Sequence, residues 1–207
     1  MTTFRELLVE KSNQPIRLLS TATTGLSPVE DELLAVSVIT LTTDGSKRAS
    51  NQTLIRKTTS DEKLLKSQEY HGITREKIMI DGMSDELFTQ SLAQLVAGEV
   101  FTYNPAFQAA FLQPYMGHDN ETYLHNLPQL VKAAEMRSVM LEKEIKHISD
   151  IEKRYDGKVP GFKRLCDQYE VFCANPALLP CEVSCLQLQW FWNHLDTIPA
   201  LVQLELF

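Results

Sequence analysis

The sequence has no apolar run long enough to cross a bilayer, and its N-terminus lacks the basic and then apolar segments of a signal peptide. We therefore expect a cytoplasmic protein with no membrane partner. Positive charge is also scarce, because 20 basic residues stand against 27 acidic ones and leave a formal net charge of −7. Neutralisation of phosphates supplies most of the affinity of proteins for duplex DNA, so this charge argues against tight duplex binding.

Metal-binding patterns are missing as well. The cysteines include no close Cys-x-x-Cys pair, and His118, His125 and His194 have no metal-ligand spacing to nearby acids. We expect these histidines to be ordinary loop or packing residues. The thiols are expected to be buried and reduced, namely Cys166, Cys173, Cys181 and Cys185. The sequence thus predicts no metal cluster and no cofactor.

The N-terminal quarter has the pattern of an antiparallel sheet. Apolar or alternating segments at 18–26, 32–41 and 47–56 predict three strands. Between the last two, Thr43-Asp44-Gly45 is typical of a hairpin turn. Because the connections between these strands are short, we expect a meander.

After residue 60 the apolar period becomes that of helices. A short strand at 100–103 follows a helix and is expected to lie parallel to its neighbour. The charged segment 127–155 predicts a solvent-facing helix or pair of helices, with Ile145, Ile148 and Ile151 as its buried stripe. Further helices are predicted at 2–13, 60–71, 83–98, 104–112, 161–169 and 180–195. The sequence thus predicts one mixed α/β domain over residues 1–198, followed by a tail at 199–207.

Several stretches together resemble the DEDD-type 3′–5′ exonucleases of the ribonuclease H-like fold, in particular the proofreading epsilon subunit of bacterial DNA polymerase III. They are Leu19–Leu26, Tyr70–Thr74 with its His-Gly-Ile, Val100–Leu112 and Leu165–Val171. The resemblance covers nearly the whole chain. It implies an α/β fold whose mixed central sheet has an antiparallel meander and then parallel strands, flanked by helices.

The residues that carry catalysis in that family are replaced here. The resemblance places its metal-binding carboxylates and its catalytic histidine at Ser20, Ala22, Gln108, Leu179 and Ser184. Two divalent ions gather only where several negatively charged oxygen ligands converge, and a histidine near the attacking water acts as general base. Since none of the five positions offers a carboxylate or an imidazole, we expect a catalytically inactive protein that holds no metal.

Other parts of the resemblance are retained and predict a groove for nucleic acid. The groove candidates are Thr23, Thr24, Leu26, Asn104 and Phe107. Loss of the carboxylates also removes repulsion towards phosphate, which leaves weak binding of single-stranded DNA as an alternative function. A 3′–5′ exonuclease with an unorthodox site is the other alternative.

The last five residues resemble the pentapeptide by which bacterial polymerases and repair proteins dock on the β sliding clamp. Leu204, Leu206 and Phe207 would fill apolar pockets, and Gln203 would form hydrogen bonds at their rim, with Glu205 between them. The alternative is a tail that folds back on its own domain. We expect an accessory or regulator of DNA replication or repair that binds the clamp of DNA polymerase III, with other replisome or repair proteins as further partners.

Overall fold

The computed structural model describes residues 3–12, 15–42, 44, 46–57, 59–116, 124–135, 147–152, 158–173 and 175–198. Within these ranges, five strands form one sheet in the order β3-β2-β1-β4-β5. The strands are β1 (Ile16–Thr23), β2 (Leu33–Leu41), β3 (Lys47–Leu54), β4 (Glu99–Thr102) and β5 (Leu124–Asn126). The first three pair antiparallel, whereas β4 lies parallel to β1 and β5 parallel to β4. The predicted meander followed by parallel strands is confirmed.

Four of the described helices begin at residues that supply side-chain caps. Ser60, Thr74, Ser84 and Asn104 each accept a hydrogen bond from a backbone amide three residues later, which satisfies one of the free N–H groups of the first turn. The helices are α1 (Phe4–Ser12), α2 (Asp61–His71), α3 (Arg75–Asp81), α4 (Asp85–Leu95), α5 (Pro105–Leu112), α6 (Leu127–Glu135), α7 (Ile148–Glu152), α8 (Phe162–Gln168) and α9 (Pro180–His194).

Strand β1 is buried on both faces because helices cover both sides of the sheet. On one side, Leu18 belongs to a cluster with Phe101 and with Trp192 of α9. On the other side, Leu19 packs in a cluster with Phe88 of α4 and Phe111 of α5. Full burial of such side chains stabilises the fold by roughly 1.5–3 kcal/mol each. The centre of the sheet is therefore its most firmly held part.

Some elements differ from the sequence-based expectations. Strand β1 ends at Thr23 rather than Leu26, because the chain bends at residues 24–26. Helix α3 and strand β5 were not predicted, since the first has seven residues and the second only three, too few to display a period.

The expectation of a solvent-facing helix in 127–155 is wrong for its first part. Most of α6 is buried, and its Leu130 and Val131 lie in the same cluster as Trp192. Ile148 and Ile151 of α7 are buried as predicted. Ile145, Thr43 and Gly45 lie outside the described residues.

All four thiols are free, and three of them are buried as expected. Cys173 is only half-buried, which corrects the expectation for that residue. None of the described helices combines the length and the apolar character that crossing a bilayer requires. The tail 199–207, including the pentapeptide Gln203 to Phe207, lies outside the described residues.

Candidate functional site

The first candidate site lies where α9 crosses β1 and β2. Ser20 of β1 pairs with Ser37 of β2 across the strands, so the two side chains point to the same face of the sheet. Ser37 Oγ donates a hydrogen bond to Cys181 Sγ at 3.2 Å, and the Cys185 thiol donates to the Ser37 carbonyl at 3.1 Å. Two thiols of α9 therefore lie over Ser20, a position at which the resemblance places a metal-binding carboxylate.

Both thiols remain protonated in this setting. Burial raises the pKa of the Cys181 thiol, although the hydrogen bond from Ser37 partly opposes the shift. Burial also raises the pKa of Cys185 well above its ordinary value, with Cys181 as a smaller contributor. Because the thiolate is the form that ligates metals and attacks electrophiles, these two residues act as packing groups and weak hydrogen-bond donors.

Tyr103 and Gln108 close the site from the other side. Tyr103 directly follows β4, and its ring stacks on Phe162 of α8 with centroids 4.8 Å apart. Burial raises the pKa of Tyr103, while the neighbouring Ser20 and Gln108 side chains partly offset that rise. Ser20 and Gln108 are both 0% exposed. The two positions are therefore inaccessible to a ligand approaching from solvent.

The other three replaced positions lie around the start of α9. Ala22 and Leu179 are both buried and pack with Cys181 in one apolar cluster. Leu179 caps α9 through its backbone, whose N–H donates to Glu182 Oε2 at 2.8 Å. Ser184 is half-buried on α9, next to Cys185, which faces the sheet. Across the described ranges, no three His, Cys, Asp or Glu side chains form a group that could hold a metal ion.

A second candidate site is an open cavity of about 650 Å³ beside the end of β1. One wall is the bend after β1, and the other is the face of α2 that carries Lys63, Lys66 and Tyr70. The remaining lining residues are Thr23, Thr24, Gly25, Leu26, Asp31 and Ser67. Three of the predicted groove residues, Thr23, Thr24 and Leu26, thus lie in this cavity.

Asp31 holds the bend in shape. Its carboxylate accepts hydrogen bonds from Thr24 Oγ1 at 3.4 Å and from the Ser27 backbone N–H at 3.0 Å. A Cβ atom at Gly25 would collide with this carboxylate, so a larger residue there would displace the Asp31 side chain that holds the bend. Lys63 lies 3.8 Å from Asp31 and donates to the Glu30 carbonyl, which ties α2 to the bend. The cavity therefore has one firmly organised wall.

Comparisons with known proteins identify the fold. No protein family model and no curated protein sequence matches the chain. Among solved structures, Escherichia coli exonuclease I in complex with a dT13 oligonucleotide matches with a TM-score of 0.62 and 12% identity, over 94% of this chain and 43% of that one. Exonuclease I from Methylocaldum szegediense matches with a TM-score of 0.57 and 13% identity, over 92% of this chain and 43% of that one.

The chain has the ribonuclease H-like fold of the DEDD exonucleases. This confirms the predicted fold class. An ExoI/SSB-Ct complex also matches, with a TM-score of 0.57 and 12% identity over 92% of this chain and 43% of that one. The chain thus spans less than half the length of these exonuclease I chains, and at such identities the likeness concerns the fold alone.

Within the exonuclease-like fold, the two remaining groove candidates lie on α5. Asn104 caps this helix, because its Oδ1 accepts the Phe107 backbone N–H at 3.3 Å. The Phe107 ring packs against Phe111 with centroids 4.9 Å apart. Neither residue lines the cavity beside β1, so the structure separates the five groove candidates into two groups.

Sequence reasoning missed a charged cluster at the other end of the exonuclease-like fold. His125 of β5 is buried between Glu99, 2.6 Å from Nε2, and Glu152, 3.2 Å from Nδ1. The partners are 26 and 27 residues away along the chain, so no local spacing signalled them. The expectation of an ordinary loop or packing histidine was therefore wrong for His125.

Proposed function

We propose that the protein is a catalytically inactive member of the exonuclease fold that binds the bacterial β sliding clamp through Gln203 to Phe207 and serves as an accessory or regulator in DNA replication or repair. The observation that carries the first part is the closure of the expected metal position. Ser20 and Gln108 are neutral and fully buried, and Tyr103, Cys181 and Cys185 surround them.

The burial of Ser20 and Gln108 would disfavour metal-dependent hydrolysis more strongly than the loss of the carboxylates alone. Magnesium keeps several of its waters and binds through carboxylates and substrate phosphates, which requires anionic ligands that face an accessible space. Hydroxyl and amide groups at 0% exposure meet neither condition.

An exonuclease assay tests the first part. The purified protein and a 5′-labelled single-stranded oligonucleotide are incubated with Mg²⁺ or Mn²⁺, and we expect no shortened product. A Gln108→Ala variant, purified in the same way, identifies any contaminating nuclease, because contamination would persist in it. Metal-dependent degradation by the wild type that disappears in Gln108→Ala would refute the proposal.

The clamp interaction is supported by the pentapeptide pattern, in which a few apolar anchors supply most of the binding energy of a short motif. A Leu206→Ala/Phe207→Ala variant keeps the length of the chain and removes two anchors. Anchors of this type cost at least about 2 kcal/mol when truncated, which is roughly 30-fold in affinity.

Calorimetric titration with a bacterial β clamp measures this loss. Glu205→Ala is the matched control, because it lies between the anchors and should change affinity by no more than a few-fold. Equal affinities of the wild type and the double variant would remove the clamp from the proposal and leave the exonuclease assay to decide the rest.

The open cavity favours a second candidate function, the binding of single-stranded DNA without cleavage. Tyr70 has 73% of its surface exposed and lines the cavity, and Lys66 contributes positive charge there, whereas the charge of Lys63 is offset by Asp31. Aromatic rings and cationic side chains are the usual elements of a single-strand site. The structure of Escherichia coli exonuclease I, which is similar in fold to this chain, was solved in complex with a dT13 oligonucleotide.

Binding of dT13 at several salt concentrations tests this candidate. Lys66→Gln should weaken binding and reduce its salt dependence, whereas Lys47→Gln, on the far edge strand β3, alters the net charge equally and should have no effect. No retention of the oligonucleotide at low salt, or equal losses in both variants, would argue against the cavity as the site.

A further inference from the structure

The corner between α2 and α3 contains a buried histidine that the proposed function does not use. His71 is the last residue of α2 and is 3% exposed. Its Nδ1 accepts a hydrogen bond from the Ile73 backbone N–H at 3.0 Å, and its Nε2 lies 2.9 Å from Ser67 Oγ. Both ring nitrogens therefore have a partner, one on each side of the corner.

These two contacts fix the protonation state of the ring. A backbone N–H only donates, so Nδ1 of His71 is the unprotonated nitrogen. The Ser67 hydroxyl donates to the Lys63 carbonyl at 2.8 Å, which leaves its oxygen to accept from Nε2–H. An imidazolium would instead direct a second N–H at the N–H of Ile73. Protonation of Nδ1 therefore breaks this hydrogen bond and leaves a buried donor without a partner, which is unfavourable.

The corner is packed closely against neighbouring helices. Gly72 has a φ of 67° and caps α2, and a Cβ atom at this position would lie 3.7 Å from Pro180 Cδ at the start of α9. Ile73 is 0% exposed and shares an apolar cluster with Ile78 of α3. Burial in these surroundings lowers the pKa of His71 below its ordinary 6.5.

Among the described residues, neither ring nitrogen of His71 has a carboxylate partner, in contrast to those of His125. The apolar cluster around Ile73 includes the Cys181 thiol, which is hydrogen-bonded to Ser37 and remains protonated. The other titratable side chains beside the corner are exposed or engaged elsewhere: Lys63, Lys66, Glu69 and Tyr70 on α2, Arg75 with Asp61 and the exposed Glu76 on α3, and Glu182 with the Leu179 N–H on α9.

We propose that His71 is a pH-sensitive latch, which holds the corner closed while its ring is neutral and opens it when Nδ1 takes up a proton. The latch reaches the cavity beside β1, because Ser67 and Tyr70 line that cavity and Ser67 is also the partner of Nε2. Opening the corner would loosen the end of the α2 wall. This inference concerns the shape of the cavity and does not depend on what binds there or at the tail.

The sign of the pH dependence follows from the contacts of the ring. The folded state binds the proton of His71 less tightly than the unfolded chain, whose histidine has the ordinary pKa of 6.5. The stabilisation by the neutral ring is therefore complete above about pH 6.5 and is lost as the pH falls below that value. The latch is closed at neutral pH and opens on acidification.

NMR titration of the full chain between about pH 5 and 8 tests the latch. We expect the ¹⁵N shifts of the His71 ring to show the Nε2–H tautomer at about pH 8 and an apparent pKa below 6.5. Once the ring is protonated, hydrogen-exchange protection of the Ile73 amide should fall by at least about tenfold, together with that of the amides at 70–72. The amides of β2 should keep their protection, which separates opening of the corner from global unfolding in acid.

His71→Asn is the matched variant, because the asparagine Oδ1 accepts the Ile73 N–H and does not titrate. Its protection at Ile73 should not change with pH. His147→Gln, at an exposed histidine, is the control and should show the same acid-induced loss as the wild type. If His71→Asn does not fold, the tautomer and the titration of the wild-type ring still decide the question.

Several results would overturn the latch. They are an Nδ1–H tautomer, an apparent pKa of 6.5 or above, and unchanged protection of Ile73 after the ring is protonated. Equal losses in the wild type and in His71→Asn would assign the acid response to another group. A response confined to Ile73, with the amides at 70–72 still protected, would overturn the link between the corner and the cavity wall.

Discussion

The buried His125 should make the stability of the protein depend on pH. Burial alone would lower the pKa of His125, but the hydrogen bonds with Glu152 and Glu99 outweigh it and raise the pKa to about 9, from the ordinary 6.5. The imidazolium then donates one N–H to each carboxylate, joining β5 to the start of β4 and the end of α7.

The size of the effect follows from linkage. A folded-state pKa of about 9 against 6.5 in the unfolded chain corresponds to roughly 3 kcal/mol, at 1.36 kcal/mol per unit. Because the folded state binds the proton more tightly, this stabilisation is complete below about pH 6.5. It is lost as the pH rises through about 9. Alkaline conditions should therefore destabilise the protein and acidification to pH 6.5 should not remove this contribution.

Urea unfolding of the wild type and of His125→Gln at several pH values from 6 to 9.5 measures the contribution. The difference in unfolding free energy between them should shrink by about 2–3 kcal/mol across this range. Other groups titrate near pH 9.5, but they are shared by both proteins and cancel in the difference. His147→Gln, at an exposed histidine, is the control and should follow the wild type throughout. A difference between wild type and His125→Gln that stays constant with pH, or an NMR titration of His125 with an apparent pKa below 7, would refute the reasoning.

Three further predictions concern the core, the bend and the thiols. Leu188→Ala should lower the free energy of unfolding by about 2–5 kcal/mol in urea, whereas Leu65→Ala, at an exposed position, should change it by less than about 0.5 kcal/mol. Gly25→Ala should cost about 1–3 kcal/mol in thermal denaturation, because the new methyl group displaces the Asp31 carboxylate that holds the bend; an unchanged Tm would contradict this. Ellman's reagent should modify Cys173 fastest in the native protein and reach the other three thiols only with denaturant; rapid labelling of all four would show that α9 is not packed as described.

Local signals were enough to predict much of the fold. Ser60, Ser84 and Asn104 mark helix starts in the sequence, and each acts as a cap in the structure. The long apolar segment of β2 likewise forms a central strand. These predictions succeeded because caps and apolar periods depend on residues a few positions apart.

The features that determine the site could not be predicted in this way. The resemblance pointed to Ser20 and Gln108 as replaced residues, but only the fold shows that Tyr103 and Cys185 close the space around them. The contact between Cys185 and Leu18 spans 167 positions of the chain. Such a contact depends on how α9 packs across the sheet. The composition and the spacing of residues do not predict that packing.

The packing of α9 over β1 also limits the evolutionary and engineering routes open to this chain. A carboxylate introduced singly at Ser20 would be a fully buried charge without an ion-pair partner, which costs several kcal/mol. A domain of this kind has only about 5–15 kcal/mol of stability in total, so successive changes of that type would unfold it before a ligand set was complete. Installing a metal centre here would require the aromatic and thiol side chains around Ser20 to be made smaller at the same time as acids are added. Under the proposed inactive assignment, a stability barrier would therefore separate this site from hydrolytic chemistry, in addition to the five replacements that the resemblance implies.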